Sequence, residues 1–516
     1  MPSDLESQLW RLHHLYSCRE EGTGKALPFI VRPEQELLFK HLIETPHIPA
    51  YIIKSRRLGI STAVETFNVD CAVFNQGWRG VLIDQKQDDA TKKMVEIIRF
   101  AVDSLPPEIL SGFTFDKRND SELRLRFKDE KESEDSVIFA TTGNRGGDCS
   151  FLHVSEWGPI AATDPTRSRE IRTGAFPAAR LGRRVVETTW YGGRVGDLWD
   201  LIKPIMQKDP NSEGVIYFFP WHADPAAIKV QGVVTQDIEI YFKDLASKLG
   251  KDFTREQKHW YAAKKLEQGI FVKREYPSTL EEAFEAPVEG AVYADKLMEI
   301  RGQGRIRPIE WDRAFPVYAS WDIGWNDTTA IWFFQVIANA VFWIRHIEEK
   351  GRSASDMATV VRETKIPIAR HYLPHDAGAS HANTGTNYAF ELQKAGIANT
   401  TILPRTMDIW NGINQLRDII PRSWFNITGC DAGIAYLDSY HTKPATAGGA
   451  ISREPVHDIS SNTADAARYA AEALALGIVN DAAKPQAPRQ VEIIDGDYDP
   501  LGRDTRGGRR QEFVSL

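Results

Sequence analysis

One short stretch concentrates cations and hydroxyls. Lys54-Ser55-Arg56-Arg57-Leu58-Gly59-Ile60-Ser61-Thr62 follows the apolar run Ala50-Tyr51-Ile52-Ile53 and precedes a segment with helical character. A strand, a tight turn and a helix start aim successive backbone N–H groups and the positive end of a helix dipole at one point, which suits a nucleotide's phosphates. The phosphate-loop pattern G-x-x-x-x-G-K-[ST] aligns with Gly59 as its second glycine and Ser61 at the hydroxyl that binds Mg²⁺. Two positions differ: Lys54 replaces the first glycine and Ile60 the lysine. The cation for the β- and γ-phosphates must therefore come from the front of the loop, on the flexible four-carbon stem of Lys54. A solvated arginine-rich corner is the plain alternative for this string taken alone.

Hydrolysis of a nucleotide needs a carboxylate at the end of a neighbouring strand to polarise the attacking water. Phe151-Leu152-His153-Val154-Ser155-Glu156-Trp157 supplies a strand followed by Glu156, with Ser155 where an aspartate would be usual. A serine there can hold a Mg²⁺-coordinated water, though more weakly than a charge. Together with the loop at 54–62, Glu156 reads as the catalytic acid and not merely as an exposed strand end. Glu187-Thr188-Thr189-Trp190 closes another short strand with two hydroxyls, a place for sensing a γ-phosphate or simple β-propensity. Gln35, shortly after Pro33, offers a donor and an acceptor to an adenine edge, or lies on a helix surface.

A second set of acids lies in the C-terminal half. Asp322 ends the strand-like Pro316-Val317-Tyr318-Ala319-Ser320-Trp321, Asp376 follows His371-Tyr372-Leu373-Pro374-His375, and Asp465 starts a strongly helical run. Each alone reads as a cap or turn residue. In strand, strand, helix order they fit an RNase H-like nuclease, in which carboxylates converge on Mg²⁺ or Mn²⁺ for two-metal phosphodiester cleavage. His457 and Asp458 are auxiliary candidates.

The elements that must position these groups are legible in outline. Helical spacing of Leu5, Leu9, Leu12 and Leu15, and a stretch at 34–43 opened by Pro33, predict N-terminal helices. Strand signals at 51–53, 80–83, 137–140, 151–154 and 184–187 alternate with helical ones, including 88–104, and a Gly-rich turn falls at 143–147. That alternation predicts an α/β domain with a doubly wound, mainly parallel sheet over 1–285. Gly, Pro and charge mark 286–315 as a linker. A second α/β unit at 316–480 opens with the strand to Asp322 and a hairpin of 328–336 with 340–347. The Pro-, Gly- and Arg-rich 481–516 reads as a flexible tail.

A chain of 516 residues, 42% hydrophobic and 26% charged, is an ordinary globular composition with room for roughly three domains. The net charge of −8 restricts nucleic-acid binding to local basic patches, with Arg167, Arg169, Arg172, Arg180, Arg183 and Arg184 as candidates. Cys18, Cys71, Cys149 and Cys430 have no metal-ligand spacing, and neither a signal peptide nor a membrane span is expected.

The order of these motifs resembles the large terminase subunit of tailed bacteriophages over about residues 28–475. Lys54–Thr62 is similar to that family's variant phosphate loop with an early lysine, Leu152-His153-Val154-Ser155-Glu156-Trp157 to its acidic strand, and Glu187–Trp190 to its coupling motif. Glu275-Tyr276-Pro277, with Glu282-Ala283-Phe284, is similar to a segment that closes the ATPase part. Asp322 with Gly324, His375–Gly378, and Asp465-Ala466 with Arg468-Tyr469 match the nuclease part. The resemblance implies an N-terminal P-loop ATPase domain and a C-terminal RNase H-like nuclease domain. ATP would lie against Gln35, Lys54, Ser55, Arg56, Arg57, Gly59, Ser61, Thr62, Thr188 and Thr189. Lys54 and the catalytic Arg57 would contact phosphates, Ser61 would hold Mg²⁺, Glu156 would activate water, and Thr188 and Thr189 would couple hydrolysis to movement. Asp322, Asp376 and Asp465 would hold the nuclease metals. It also implies double-stranded DNA, a small terminase subunit and the portal of a procapsid as partners, a ring-forming homo-oligomer, and the host cytoplasm. A helicase-like remodelling ATPase with a structural C-terminal domain is the alternative.

Overall fold

The computed structural model describes residues 3–20, 22–128, 134–143, 147–191, 193–285, 290–324, 328–379, 387–443, 454–458 and 460–479. The expected tail at 481–516 and the middle of the turn at 143–147 lie outside these residues. Two compact units emerge. One holds the described residues of Met1–Asp295 and Ile434–Ser461, the other those of Lys296–Gly433 and from Asn462 onward. No described helix is long and apolar enough to cross a membrane.

In the first unit, β1 (Ser17–Arg19) and β2 (Ala26–Pro28) form a small antiparallel pair. Its main sheet comprises β3 (Ala50–Lys54), β4 (Arg79–Ile83), β5 (Phe113–Arg118), β6 (Glu122–Phe127), β7 (Ser136–Thr141), β8 (Phe151–Ser155), β9 (Arg183–Thr188) and β10 (Val215–Phe219). The strand order is β10-β3-β9-β8-β4-β7-β6-β5. Only β6 runs against the rest. The chain leaves β3 through the helix Ile60–Phe74 toward β4 and returns at the end to place β10 on the other side of β3. That reversal of winding opens a crevice beyond the carboxyl ends of the strands, where open α/β sheets bind ligands.

Because β3 is covered on both faces, every one of its residues is buried and its sequence is almost continuously apolar. Ile52 packs to one side with Phe39, Phe67 and Phe151, while Tyr51 and Ile53 pack to the other with Trp157, Trp190 and Phe284. The two-residue period of a strand divides them. The helices Gln8–His14 and Pro33–Glu44 stand where the leucine spacing predicts helices. Buried Asp70 ties the first of these to the helix Ile60–Phe74 through Arg11, at 2.7 Å, and the Tyr16 hydroxyl at 2.9 Å.

The second unit is built on β11 (Ile306–Arg307), β12 (Val317–Asp322), β13 (Thr328–Ile337), β14 (Ala340–Lys350), β15 (Ile368–Leu373), β16 (Thr400–Ile402) and β17 (Ser423–Asn426). Their order is β11-β17-β14-β13-β12-β15-β16, and only β13 is reversed. A long hairpin beside a central strand that continues into parallel neighbours is the mixed sheet of the RNase H-like expectation. Ala338 and Asn339 turn the hairpin with φ of 46° and 67°, the double positive-φ turn whose twist matches that of the strands. One face of the sheet packs Val317, Trp321 and Phe333 against Met357 and Leu392. On the other, Trp332 donates its indole N–H to the Thr463 carbonyl at 2.9 Å, docking the helix Ser461–Ala475. Ile306–Arg307, inside the stretch expected to link the domains, is an edge strand of this sheet.

Candidate functional site

Parallel register gathers residues that are distant in sequence. Ser155 on β8 pairs with Glu187 on β9, and Glu187 pairs in turn with Ile52 on β3. Lys54, Ser155, Glu187 and the residues just beyond them therefore meet at the carboxyl ends of three adjacent strands. There a cavity of about 500 Å³ is lined by Lys54, Arg56, Arg57, Ser61, Glu156 and Thr189, among others. Gly59 caps the helix Ile60–Phe74 from the left-handed region at φ 68°, so the first turn of that helix opens into the cavity with Ser61 and Thr62 on its wall.

The charges are tightly balanced. Lys54 Nζ lies 3.2 Å from Glu156 Oε1 and 3.7 Å from Glu187 Oε2. Burial alone would lower the Lys54 pKa, but the two carboxylates raise it, and the ammonium stays charged. Glu187 is fully buried. Burial would raise its pKa, yet Lys54, His153 and Lys93 hold it well below the usual carboxylate range. His153 sits between two acids, with Nδ1 2.5 Å from Glu65 Oε1 and Nε2 3.3 Å from Glu187 Oε1. Burial opposes its charge, but the two partners push it up to about 9. Ser61 Oγ donates to Glu187 Oε1, which also accepts from Ser155 Oγ at 3.0 Å.

Glu156 occupies the left-handed region at φ 53°, a conformation that costs a non-glycine residue about 1–2 kcal/mol. Its Oε2 accepts from the Thr189 N–H at 3.1 Å and the Thr189 hydroxyl at 3.0 Å, which hold the strained residue in place. Thr188 turns away: its hydroxyl accepts from the Gly158 N–H at 3.0 Å and donates to the Thr189 carbonyl. Ser55 is buried under the loop, with its hydroxyl donating to the Glu275 carbonyl at 3.3 Å. Arg57 takes φ 64° and lines the cavity. Gln35 is buried and braces the loop, its amide donating to the Gly59 carbonyl at 3.1 Å while Oε1 accepts from the Arg32 N–H at 3.0 Å. Those bonds would have to open for it to reach an adenine.

Three contributors were not singled out from the sequence as site residues. Glu187 stands inside a recognised motif, but it is the register that brings it to Ser61. Lys93 reaches across from the helix Gln87–Lys93 to pair with Asp84 and to donate to Ser155 Oγ at 2.6 Å. Glu275 gives the segment Glu275–Phe284 a physical role. Its carbonyl accepts from the Arg56 N–H at 3.1 Å and its carboxylate pairs with the Arg56 guanidinium. Farther along, Ser278 accepts from the Trp221 indole at 2.8 Å and Phe284 stacks edge-on to Trp190 at 4.5 Å. The segment thereby straps the loop at 54–62 to the core. A carboxylate or imidazole in an otherwise apolar strand, as at Glu187 and His153, is the sequence signal that could have exposed these partners.

In the second unit, Asp322 ends β12, and Asp376 follows β15, the parallel neighbour of β12. Asp465 lies in the helix Ser461–Ala475. Burial raises the Tyr469 hydroxyl pKa, Asp322 and Asp465 add to the rise, and Arg468 opposes it. Arg468 Nε holds Asp465 Oδ1 at 3.0 Å. Among the described residues, no three His, Cys, Asp or Glu side chains stand close enough together to hold one ion. His457 and Asp458 are engaged locally: His457 Nδ1 with Ser461 Oγ at 2.8 Å, and Asp458 Oδ1 with the Ser460 N–H at 2.9 Å.

Of the basic candidates, Arg167 spends its guanidinium on the carbonyls of Thr142, Gln85 and Asp84. Arg183 donates to the Leu42 carbonyl at 2.8 Å, and Arg184 lies 4.5 Å over the Phe176 ring. Arg169 and Arg180 are exposed.

Several solved structures of bacteriophage large terminases are similar to this chain. The enzyme of phage HK97 matches with a TM-score of 0.43 and 12% identity, over 91% of this chain and 99% of that one. That of thermophilic phage D6E matches with a TM-score of 0.31 and 12% identity, over 86% and 99%. The P22 nuclease domain matches with a TM-score of 0.26 and 22% identity, over 32% and 86%. No protein-family model and no curated protein matches the sequence. The functional reading therefore rests on the site itself.

Proposed function

We propose that this chain is a large terminase subunit, a motor that hydrolyses ATP to drive double-stranded DNA into a procapsid and cuts that DNA with a second, nuclease domain. The boundaries that go with this reading are an ATPase domain over 1–285, a linker over 286–315, a nuclease over 316–480 and a tail over 481–516. The observation that carries it is the convergence of Lys54, Ser61, Glu156 and Thr189 on one cavity at the carboxyl ends of adjacent parallel strands.

The residues fit a Mg²⁺-nucleotide. A helix N-terminus and the loop amides suit the phosphates, and Lys54, Arg56, Arg57, Ser61, Thr62 and Gly59 line the space. Mg²⁺, when bound, would neutralise charge on the β- and γ-phosphates, with Ser61 the hydroxyl placed for it. Lys54 neutralises Glu156 at 3.2 Å. A phosphate that drew Lys54 away would leave Glu156 Oε1 unpaired, while Thr189 still held Oε2 in place. The freed oxygen is then a base for the attacking water, and Thr189 carries the change back into β9. Electrostatic positioning of this kind is what phosphoryl transfer chiefly requires.

The acids proposed for the nuclease are Asp322, Asp376 and Asp465, with Mg²⁺ or Mn²⁺ as the metal. The Arg468–Asp465 pair would have to open for Asp465 to serve as an oxygen ligand. The exposed Arg169 and Arg180 are candidates for salt-sensitive phosphate contacts. A small terminase subunit, the portal protein, a ring of like subunits and the host cytoplasm belong to the same proposal.

The direct test is ATP turnover by the Glu156→Gln variant in the presence of DNA. Loss of a general base costs on the order of 100-fold or more. Turnover equal to that of the unaltered chain would remove Glu156 from the reaction and the reading with it.

A further inference from the structure

Glu187 brings a fully buried carboxylate to the Ser61 hydroxyl. Ser155 occupies the strand-end position from which a carboxylate would ordinarily face the loop hydroxyl, and it is neutral. One strand over, Glu187 is in register with Ser155. Its Oε1 accepts from both Ser61 Oγ and Ser155 Oγ. Its Oε2 is buried with no hydrogen-bond partner, and Lys54 Nζ, 3.7 Å away, is its near cation. The side chain is wholly shielded from solvent. Lys54 and His153 offset its charge, and the same carboxylate sits against the Ser61 hydroxyl, which the loop pattern assigns to Mg²⁺.

We propose that Glu187, reaching over from β9, supplies the carboxylate of the Mg²⁺-nucleotide site that Ser155 cannot supply, holding Ser61 and the ion's coordination sphere from the buried side. The inference rests on the nucleotide reading of this cavity. His153 and Lys93 then act as positioning residues: the His153 contact at 3.3 Å and the Lys93 bond to Ser155 at 2.6 Å keep Glu187 and its neighbour aimed while Lys54 is drawn to phosphate. Asp84 is a poorer source of that charge because Lys93 already covers it.

The test is binding of a fluorescent, non-hydrolysable ATP analogue to the full chain, once in EDTA and once with Mn²⁺, with bound Mn²⁺ counted by electron paramagnetic resonance. The unaltered chain should bind in EDTA and bind at least about tenfold more tightly with Mn²⁺. In Glu187→Gln the Mn²⁺-dependent gain should vanish while binding in EDTA persists. If Glu187→Gln does not fold, Glu187→Asp, which keeps the charge but draws it back by one methylene, should lose at least about threefold of the gain. A full gain in either folded variant overturns the assignment of Glu187. So does an unaltered chain that binds the analogue equally well with and without Mn²⁺. An unaltered chain that binds no analogue under either condition instead overturns the nucleotide reading itself.

Discussion

Replacing Lys54 by methionine keeps most of the side chain's volume and deletes its charge. The lost ammonium lies 3.2 Å from Glu156 and 3.7 Å from Glu187. Glu156 retains 28% of its side-chain exposure and can regain water, whereas Glu187 has none. The penalty therefore falls on Glu187, left with His153 and Lys93 as its cations. Removing one partner of a buried ion pair costs about 3–5 kcal/mol. At about 2–4 °C per kcal/mol for a domain of this scale, the unfolding midpoint of the first unit should drop by roughly 10 °C in differential scanning calorimetry without nucleotide. Adding Glu187→Gln to the Lys54→Met chain should recover at least about half of that loss, because the stranded charge is gone. The same Glu187→Gln change made alone should not stabilise the protein, since Lys54 keeps Glu156 and His153 keeps Glu65. A Lys54→Met midpoint within about 2 °C of the unaltered chain would refute the view that Lys54 compensates Glu187. A double variant no more stable than Lys54→Met would refute it as well.

Three further outcomes follow from the same geometry. His153 is raised from its ordinary 6.5 to about 9 by its two carboxylate partners, so the stability it adds is complete below pH 6.5 and is lost as pH rises toward 9. The interval corresponds to roughly 3 kcal/mol, and a midpoint flat from pH 6 to pH 9.5 would contradict the buried charged imidazole. Glu275→Ala removes the carboxylate that pairs with Arg56 and Arg274 and should loosen the phosphate loop, weakening nucleotide binding by roughly 3- to 30-fold. Unchanged affinity by titration would show that the backbone bond from Arg56 is sufficient. Asp322→Asn should abolish plasmid cleavage in Mn²⁺ and leave ATP turnover within about twofold; unchanged cleavage would favour a structural role for the second unit.

The resolution of the sequence differed between the two candidate sites. At the first, the strand before Lys54, the loop and the acid after β8 were readable because each is a local pattern: an apolar run, a turn with Gly59, and a charge where the run stops. The roles of Thr188 and Thr189 were not separable, since neighbouring residues of a strand end point to opposite sides and only the fold says which side is the cavity. Gln35, which the sequence offers either to an adenine edge or to a helix surface, is buried against the Gly59 carbonyl, a contact across 24 residues that no local rule anticipates. Arg167 reads as surface charge, yet its fork of donors is used up on three carbonyls. At the second site, the strand ending in Asp322 and the strand that leads to Asp376 were legible. The ion pair that engages Asp465 was open to a helical i, i+3 reading, for Arg468 stands one turn along.

By itself, the sequence determined the alternation of strands and helices, the tight turn at 54–62, the class of both sheets and the acid that follows β8. These depend on periodicity and on residues adjacent in the chain, where the physics is local. Tertiary structure alone decided that Glu187 would stand between Ser61, Lys54 and His153, and that Glu275 would brace Arg56. Parallel strands exchange partners across long connections, and a buried charge is stable only where the whole fold brings it an opposite one.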